Sequence, residues 1–217
     1  MDYTTLCRDA LDRQLFVVGG FHPDTDDATL GGYETLLLLG PKEPEFWPAL
    51  QQEPEWLDGH PDPIDRWSTR AIETWAAAIG ATAFVPFGDA PYHPFFTWAT
   101  RTARVHASPI MLLVNDQSGL FTSFRGALAL PFRLELPEPP PSPCLTCADK
   151  PCLTACPVGA FANGAYDVPA CRAHIKSPAG KSCLTEGCLA RRACPVSAAW
   201  GRLPEQSGYH MKQFLGG

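Results

Sequence analysis

Cys144-Leu145-Thr146-Cys147-Ala148-Asp149-Lys150-Pro151-Cys152-Leu153-Thr154-Ala155-Cys156-Pro157 is the stretch on which the reading of this chain turns. Its four cysteines are separated by two, four and three residues, and the last is followed by proline. Further along come Cys171, Cys183, Cys188 and Cys194-Pro195. The two runs are related. Cys144-Leu145-Thr146 returns as Cys183-Leu184-Thr185, and Ala155-Cys156-Pro157-Val158 returns as Ala193-Cys194-Pro195-Val196. Glu186 stands in the second copy where the first has Cys147, and Cys171 is the cysteine left to replace it. Eight thiols in two sets of four are the donor count of two metal centres.

Short spacings let one loop wrap a metal centre with successive thiolates. A bacterial ferredoxin run has gaps of two, two and three residues and then Cys-Pro, where the proline turns the chain away and sends its cysteine to the second cluster. This chain has two additional residues before Cys152. Crossing the two Cys-Pro ligands gives one 4Fe–4S cluster on Cys144, Cys147, Cys152 and Cys194, and another on Cys156, Cys171, Cys183 and Cys188. The competing reading is two structural zinc sites of four cysteines each. The paired Cys-Pro ends and the internal repeat favour iron and sulfide.

The remaining composition bounds the protein. It has 217 residues, 45% hydrophobic and 18% charged, which is a globular composition with room for one large or two small domains. The apolar runs are far too short to span a bilayer. Met1-Asp2-Tyr3-Thr4-Thr5 shows no basic, then apolar, leader pattern, so a cytoplasmic protein is expected. In such a compartment clustered cysteines serve metals or redox chemistry sooner than disulfides.

Residues 137–143 hold five prolines in seven, a semi-rigid spacer. They divide an expected N-terminal domain, 1–136, from a cysteine domain, 144–217. In the first, Leu15–Val18, Tyr33–Leu39 and Ile110–Val114 are short apolar runs closed by turn residues, which predicts buried strands. Trp67, Ala71, Ile72, Trp75 and Ile79 have helical spacing, so Asp65–Ile79 is predicted as a helix stopped by Gly80. Phe95–Ala103 is a second predicted helix. The mixture is α+β or α/β.

Residues 1–170 carry 10 Lys and Arg against 21 Asp and Glu, a net −11, whereas 171–217 carry seven against two, a net +5. The acidic majority is a poor match to nucleic acid. Lys176, Lys181, Arg191 and Arg192 lie among the cysteines, where positive charge offsets a dianionic cluster and raises its potential. The alternative is a solvated basic face.

The cysteine region resembles the two-cluster ferredoxin module of epoxyqueuosine reductase, which also has a four-cysteine run, an isolated cysteine and a three-cysteine run ending in Cys-Pro. Here the gaps in the last run are four and five residues, against two and three in that family. The extended catalytic motif of that family, with its acidic residue and Gly-Lys pair, does not occur in this chain. Asp62-Pro63-Ile64-Asp65, His93-Pro94, Gly119, Phe121, Phe124-Arg125-Gly126, Leu130-Pro131 and Leu136-Pro137 resemble, in order, the CblC-type cobalamin-processing proteins. Epoxyqueuosine reductase and reductive dehalogenases join related cobalamin domains to the same type of ferredoxin module. The resemblance implies an α+β chain with a nitroreductase-like N-terminal domain and a C-terminal bacterial-type dicluster ferredoxin module. It further implies a cobalamin-type ligand contacted by Phe124, Arg125, Gly126 and His93.

Each of these residues has a plainer reading. Arg125 is also placed as an ordinary strand-end arginine paired with a carboxylate, and His93 as a loop histidine. Gly19-Gly20 reads as a turn more readily than as a ligand approach. The tryptophans belong to the core, and Cys7 is spare. Three functions follow. The first is an iron–sulfur oxidoreductase that passes electrons to a cobalamin-type cofactor. The second is an electron carrier whose cofactor-free N-terminal domain docks a redox partner protein. The third and weakest is a tRNA-modifying reductase of the epoxyqueuosine type.

Overall fold

The computed structural model describes residues 1–25, 27–162 and 164–216. The chain is mixed α+β and divides into two compact units, residues 1–105 with 123–140, and residues 106–122 with 141–217. The proline-rich stretch contains the last of three crossings between units. The first lies between Val105 and His106, inside what the sequence reads as one N-terminal domain.

The elements in chain order are α1 (Tyr3–Leu11), β1 (Leu15–Phe21), β2 (Thr35–Pro41), α2 (Phe46–Leu50), α3 (Pro54–Leu57), α4 (Pro63–Ile79), β3 (Thr82–Phe84), α5 (Phe95–Arg101), β4 (Val105–Ala107), β5 (Leu113–Asn115) and β6 (Gly126–Leu130). The first unit is built on an antiparallel sheet in the order β1-β2-β6-β3. All seven residues of β2 are buried. Successive side chains of a strand point to opposite faces, so both faces of this strand are covered. That accounts for the unbroken leucines 36–39 where a one-sided antiparallel strand would alternate. Helix α4 packs on β3 and β6, and α1 and α5 pack on β1.

Helix α4 starts with Pro63 in its first turn and ends at Gly80 in the left-handed conformation, φ 68°. Ile64, Trp67, Ile72 and Trp75 form its buried stripe. Its exposed side receives α3 through Arg66 on Asp58 at 2.8 Å and Arg70 on Glu53 at 2.7 Å.

Three elements differ from the sequence reading. Strand β1 runs through Gly19 and Gly20 instead of turning there. A Cβ on Gly20 would lie 2.6 Å from Leu37 Cδ2 and 3.0 Å from the Leu36 carbonyl oxygen, so this glycine allows close packing within a strand. Strand β2 likewise continues through Gly40-Pro41. Ile110 and Met111 are not in a strand but in a turn. Met111 donates its N–H to the Ser108 carbonyl at 2.9 Å and adopts φ 63°. Only Leu113–Asn115 is extended, and it pairs with β4.

The second unit adds α6 (Pro143–Thr146), α7 (Val168–Lys176), α8 (Lys181–Glu186), α9 (Leu189–Arg192), α10 (Pro195–Ala199) and α11 (Pro204–Gly216), with tight 3-10 turns at Pro151–Leu153 and Pro178–Gly180. Ile110, Val114 and Leu120 pack with Phe161 and Ala190 around Cys152, with Cys144, Cys156, Cys188 and Cys194 at the margin. Segment 106–122 belongs here because it supplies half of that apolar core. Its Leu120 N–H also donates to Ser197 Oγ at 2.8 Å. No helix among the described residues is long and apolar enough to cross a membrane.

Gly126 opens β6 where a Cβ would lie 2.6 Å from Ile72 Cδ1 and 2.8 Å from the Phe84 carbonyl oxygen. One of these neighbours is sheet backbone and cannot swing aside. Gly126→Ala is expected to lower unfolding free energy by about 1–3 kcal/mol, measured as a lower urea midpoint at unchanged slope.

Candidate metal centre

Most of the thiols are placed by loops and short helices, since α6, α8, α9 and α10 are four to six residues long. Cys144 lies in the first turn of α6 and Cys147 at its end. Cys152 lies in the turn Pro151–Leu153. Cys194 is the residue before α10, with extended backbone, and its carbonyl accepts from Ala198 N–H at 2.9 Å. These four cysteines line one cavity of about 210 Å³, walled by Pro109, Val114, Leu120 and Val196. Pro195 is in its wall too, so the second Cys-Pro pair delivers its cysteine to the first run.

Cys156, Cys171, Cys183 and Cys188 line a second cavity, tighter at about 20 Å³. Cys171 comes from α7, Cys183 from α8 and Cys188 from the start of α9. Phe161, Ile175 and Met211 close it with apolar surface. The Ala160 N–H donates to Cys156 Sγ at 3.3 Å, and the Tyr166 hydroxyl donates to Cys171 Sγ at 3.2 Å. Cys156 therefore leaves the run that precedes it and joins the cysteines that follow.

Electrostatics divides the thiols the same way. Burial first, and then Cys194 and Cys147, raise the pKa of Cys144; burial, then Cys144, Cys194 and Cys147, raise that of Cys152. Burial raises Cys171, with Cys188, Cys156 and Cys183 adding to it against the Tyr166 hydrogen bond. Burial likewise raises Cys183, reinforced by Cys188 and Cys156 and opposed by Leu189 N–H and Arg192. The thiols of each set feel their own set.

Of the cations near the cysteines, Arg192 donates to Glu186 at 2.6 Å and to Ser182 Oγ at 2.8 Å. Lys150 lines the first cavity and favours the Cys144 thiolate, a role that sequence reading did not give it. Segment 106–122 was missed as a wall of the cavity. It contains no cysteine, and only its apolar residues hinted at burial.

Among the described residues no three Cys, His, Asp or Glu side chains converge on one metal position. The thiols ring two cavities instead. All-sulfur donor sets, without a carboxylate, suit iron–sulfur cores and zinc alike.

In the first unit, Arg125 is largely buried, with its Nη1 3.4 Å from Asp65 Oδ1. Burial depresses the arginine and raises the aspartate, while each partner opposes that shift in the other. The Arg125 N–H donates to the Leu39 carbonyl at 2.8 Å. His93 stacks on Trp98 with ring centroids 5.6 Å apart, Trp98 touches Phe95, and Phe95 touches Phe124. Phe124 and His93 thus belong to one aromatic series, which continues from His93 to Phe84, whereas Arg125 is tied to α4. Gly126 is held between Ile72 and β3.

Compared with protein-family models, curated proteins and solved structures, the chain matches none. The family resemblances therefore rest on the sequence motifs alone.

A thiol whose pKa is raised by folding favours the folded state below its ordinary value of 9.0, and that contribution is lost as pH rises through the higher folded value. Metal-free protein is expected to lose stability between about pH 8 and pH 10, followed by urea unfolding. Metal-loaded protein, whose ligands are already thiolates, should lack that loss.

Proposed function

We propose that this chain is a two-cluster iron–sulfur electron-transfer protein. The observation that supports it is the separation of eight thiols into two cavities of four, with one cysteine exchanged between the runs at each Cys-Pro pair. A bound 4Fe–4S core supplies one-electron oxidation and reduction. The chain's part is to hold the thiolates, to keep Cys152 and Cys183 out of water, and to place Ala160 N–H and Tyr166 O–H on the sulfurs of the second set. Such hydrogen bonds stabilise added negative charge and raise the potential. Cys152 and Cys156 are four residues apart in sequence, so their Cα atoms are at most about 14 Å apart. One peptide segment thus runs between the cavities and keeps them close enough for electron exchange.

The acceptor is proposed from resemblance. Motifs between residues 60 and 140 are similar to CblC-type proteins, which supports a cobalamin-type cofactor in the first unit as the electron acceptor. The pairing of Arg125 with Asp65 favours the second reading, a carrier whose first unit docks a redox partner, because that guanidinium is already engaged.

Anaerobically purified protein is expected to contain about eight iron and eight acid-labile sulfide per chain. Stoichiometric zinc without sulfide would overturn the proposal. Cys194→Ala and Cys144→Ala should each remove the same paramagnetic signal, and Cys156→Ala should group with Cys171→Ala. Titration with methylcobalamin separates the two acceptor readings. A shift from the base-on to the base-off absorption spectrum supports the corrin, and an unchanged spectrum at high protein concentration supports the carrier.

A further inference from the structure

Each cavity is lined, beside its four thiols, by one residue that carries a buried hydrogen-bonding atom for which the protein supplies no partner. In the first it is Ser108 Oγ. Ser108 is 7% exposed and its backbone is fully engaged: its N–H donates to the Leu112 carbonyl, and its carbonyl accepts from Met111 N–H, both at 2.9 Å. The left-handed Met111 closes that turn and fixes the serine against the cavity. In the second cavity the atom is His174 Nε2. His174 lies three residues after Cys171 on α7, which places both on one helix face. Its carbonyl accepts from Ser177 N–H at 2.9 Å and from Ser177 Oγ at 2.8 Å. A Cβ on Gly180 would lie within 2.0 Å of that carbonyl oxygen, so the following turn presses directly on this residue.

A buried hydroxyl or imidazole left without a partner is unfavourable, because its hydrogen bond to water is lost and not replaced. Two such groups, one lining each thiol-lined cavity, are donors available to that cavity's occupant. An occupant rich in sulfur and negative charge accepts from an O–H or an N–H. Resting on the two-cluster reading above, we propose that Ser108 donates a hydrogen bond to the centre held by Cys144, Cys147, Cys152 and Cys194. His174 donates one to the centre held by Cys156, Cys171, Cys183 and Cys188, so each side chain sets the reduction potential of its own cluster. Both are positioning residues, not ligands. A donor lowers the energy of the reduced, more negative state more than that of the oxidised state, so its removal makes that cluster harder to reduce.

The test is a redox titration of anaerobic, cluster-loaded full-length protein at one pH, with dithionite as the electron donor and soluble mediators, read by paramagnetic resonance. Iron and sulfide are measured first in every variant. Ser108→Val and Ser108→Thr have nearly equal volume and differ in the hydroxyl. His174→Leu and His174→Gln differ in the N–H. Ser108→Val is expected to lower the reduced-to-oxidised ratio of one signal by roughly three- to tenfold at fixed potential, tenfold being about 59 mV for one electron. The other signal should not move, and Ser108→Thr should stay near the wild type. His174→Leu should move the other signal alone, with His174→Gln closer to the wild type. Assignment uses the signal lost in Cys194→Ala and in Cys171→Ala. Exchangeable-proton couplings, measured on the wild-type protein in light and heavy water, keep the test open if a variant loses a cluster. A coupled exchangeable proton at each cluster is expected, and its absence at either overturns the assignment there. Unmoved potentials with full iron and sulfide, or both variants moving one signal, overturn this proposal while the two-cluster reading stands. Absence of iron and sulfide from the wild type overturns the reading itself.

Discussion

Crowding eight thiols into a small, partly dry volume is the constraint on which the second unit depends. Its helices α6, α8, α9 and α10 are four to six residues long, far below the length at which a helix holds itself together in water. The apolar core between them is small and has Cys152 at its centre. Neutral thiols add little beyond modest burial, and thiolates in such proximity repel one another. Under the proposed function, a cationic metal core would reverse that sign and tie elements distant in sequence to one centre, coupling metal binding to folding.

The two cavities differ in the groups around their sulfurs. The second has a backbone N–H and a tyrosine hydroxyl on its sulfurs and is closed by Phe161, Ile175 and Met211. The first is roomier and has Lys150 in its lining. Hydrogen bonds and positive charge raise a cluster's potential, whereas apolar enclosure lowers it. Under the proposed function, different mixtures of these influences would give the two bound centres unequal potentials, the condition for directed electron flow.

The first unit is stabilised by more ordinary means. A fully buried leucine strand lies at the middle of its sheet, and a long amphipathic helix packs over β3 and β6. Arg125 and Asp65 join that helix to the residue just before β6. A partly buried ion pair of this type adds little net stability because desolvation offsets attraction, yet loss of one partner strands the other. The pair therefore constrains position more than it stabilises.

The division of the cysteines into two sets of four was legible in the sequence, because short spacings confine successive thiols to one loop and a proline after cysteine redirects the chain. The grouping of Cys194 with the first run and Cys156 with the second followed from those local rules, and the structure places these thiols around the same two cavities. Helix α4 was also legible, since a 3.6-residue period and a closing glycine are local features. The inclusion of Gly19 and Gly20 in a strand was not, because the contacts that require a missing Cβ come from Thr102 and Leu37. Nor was the membership of segment 106–122 in the cysteine unit, or the burial of Ser108 and His174 without partners. Such features depend on contacts between residues far apart in the chain, and no run of adjacent residues encodes those; only tertiary packing decided them.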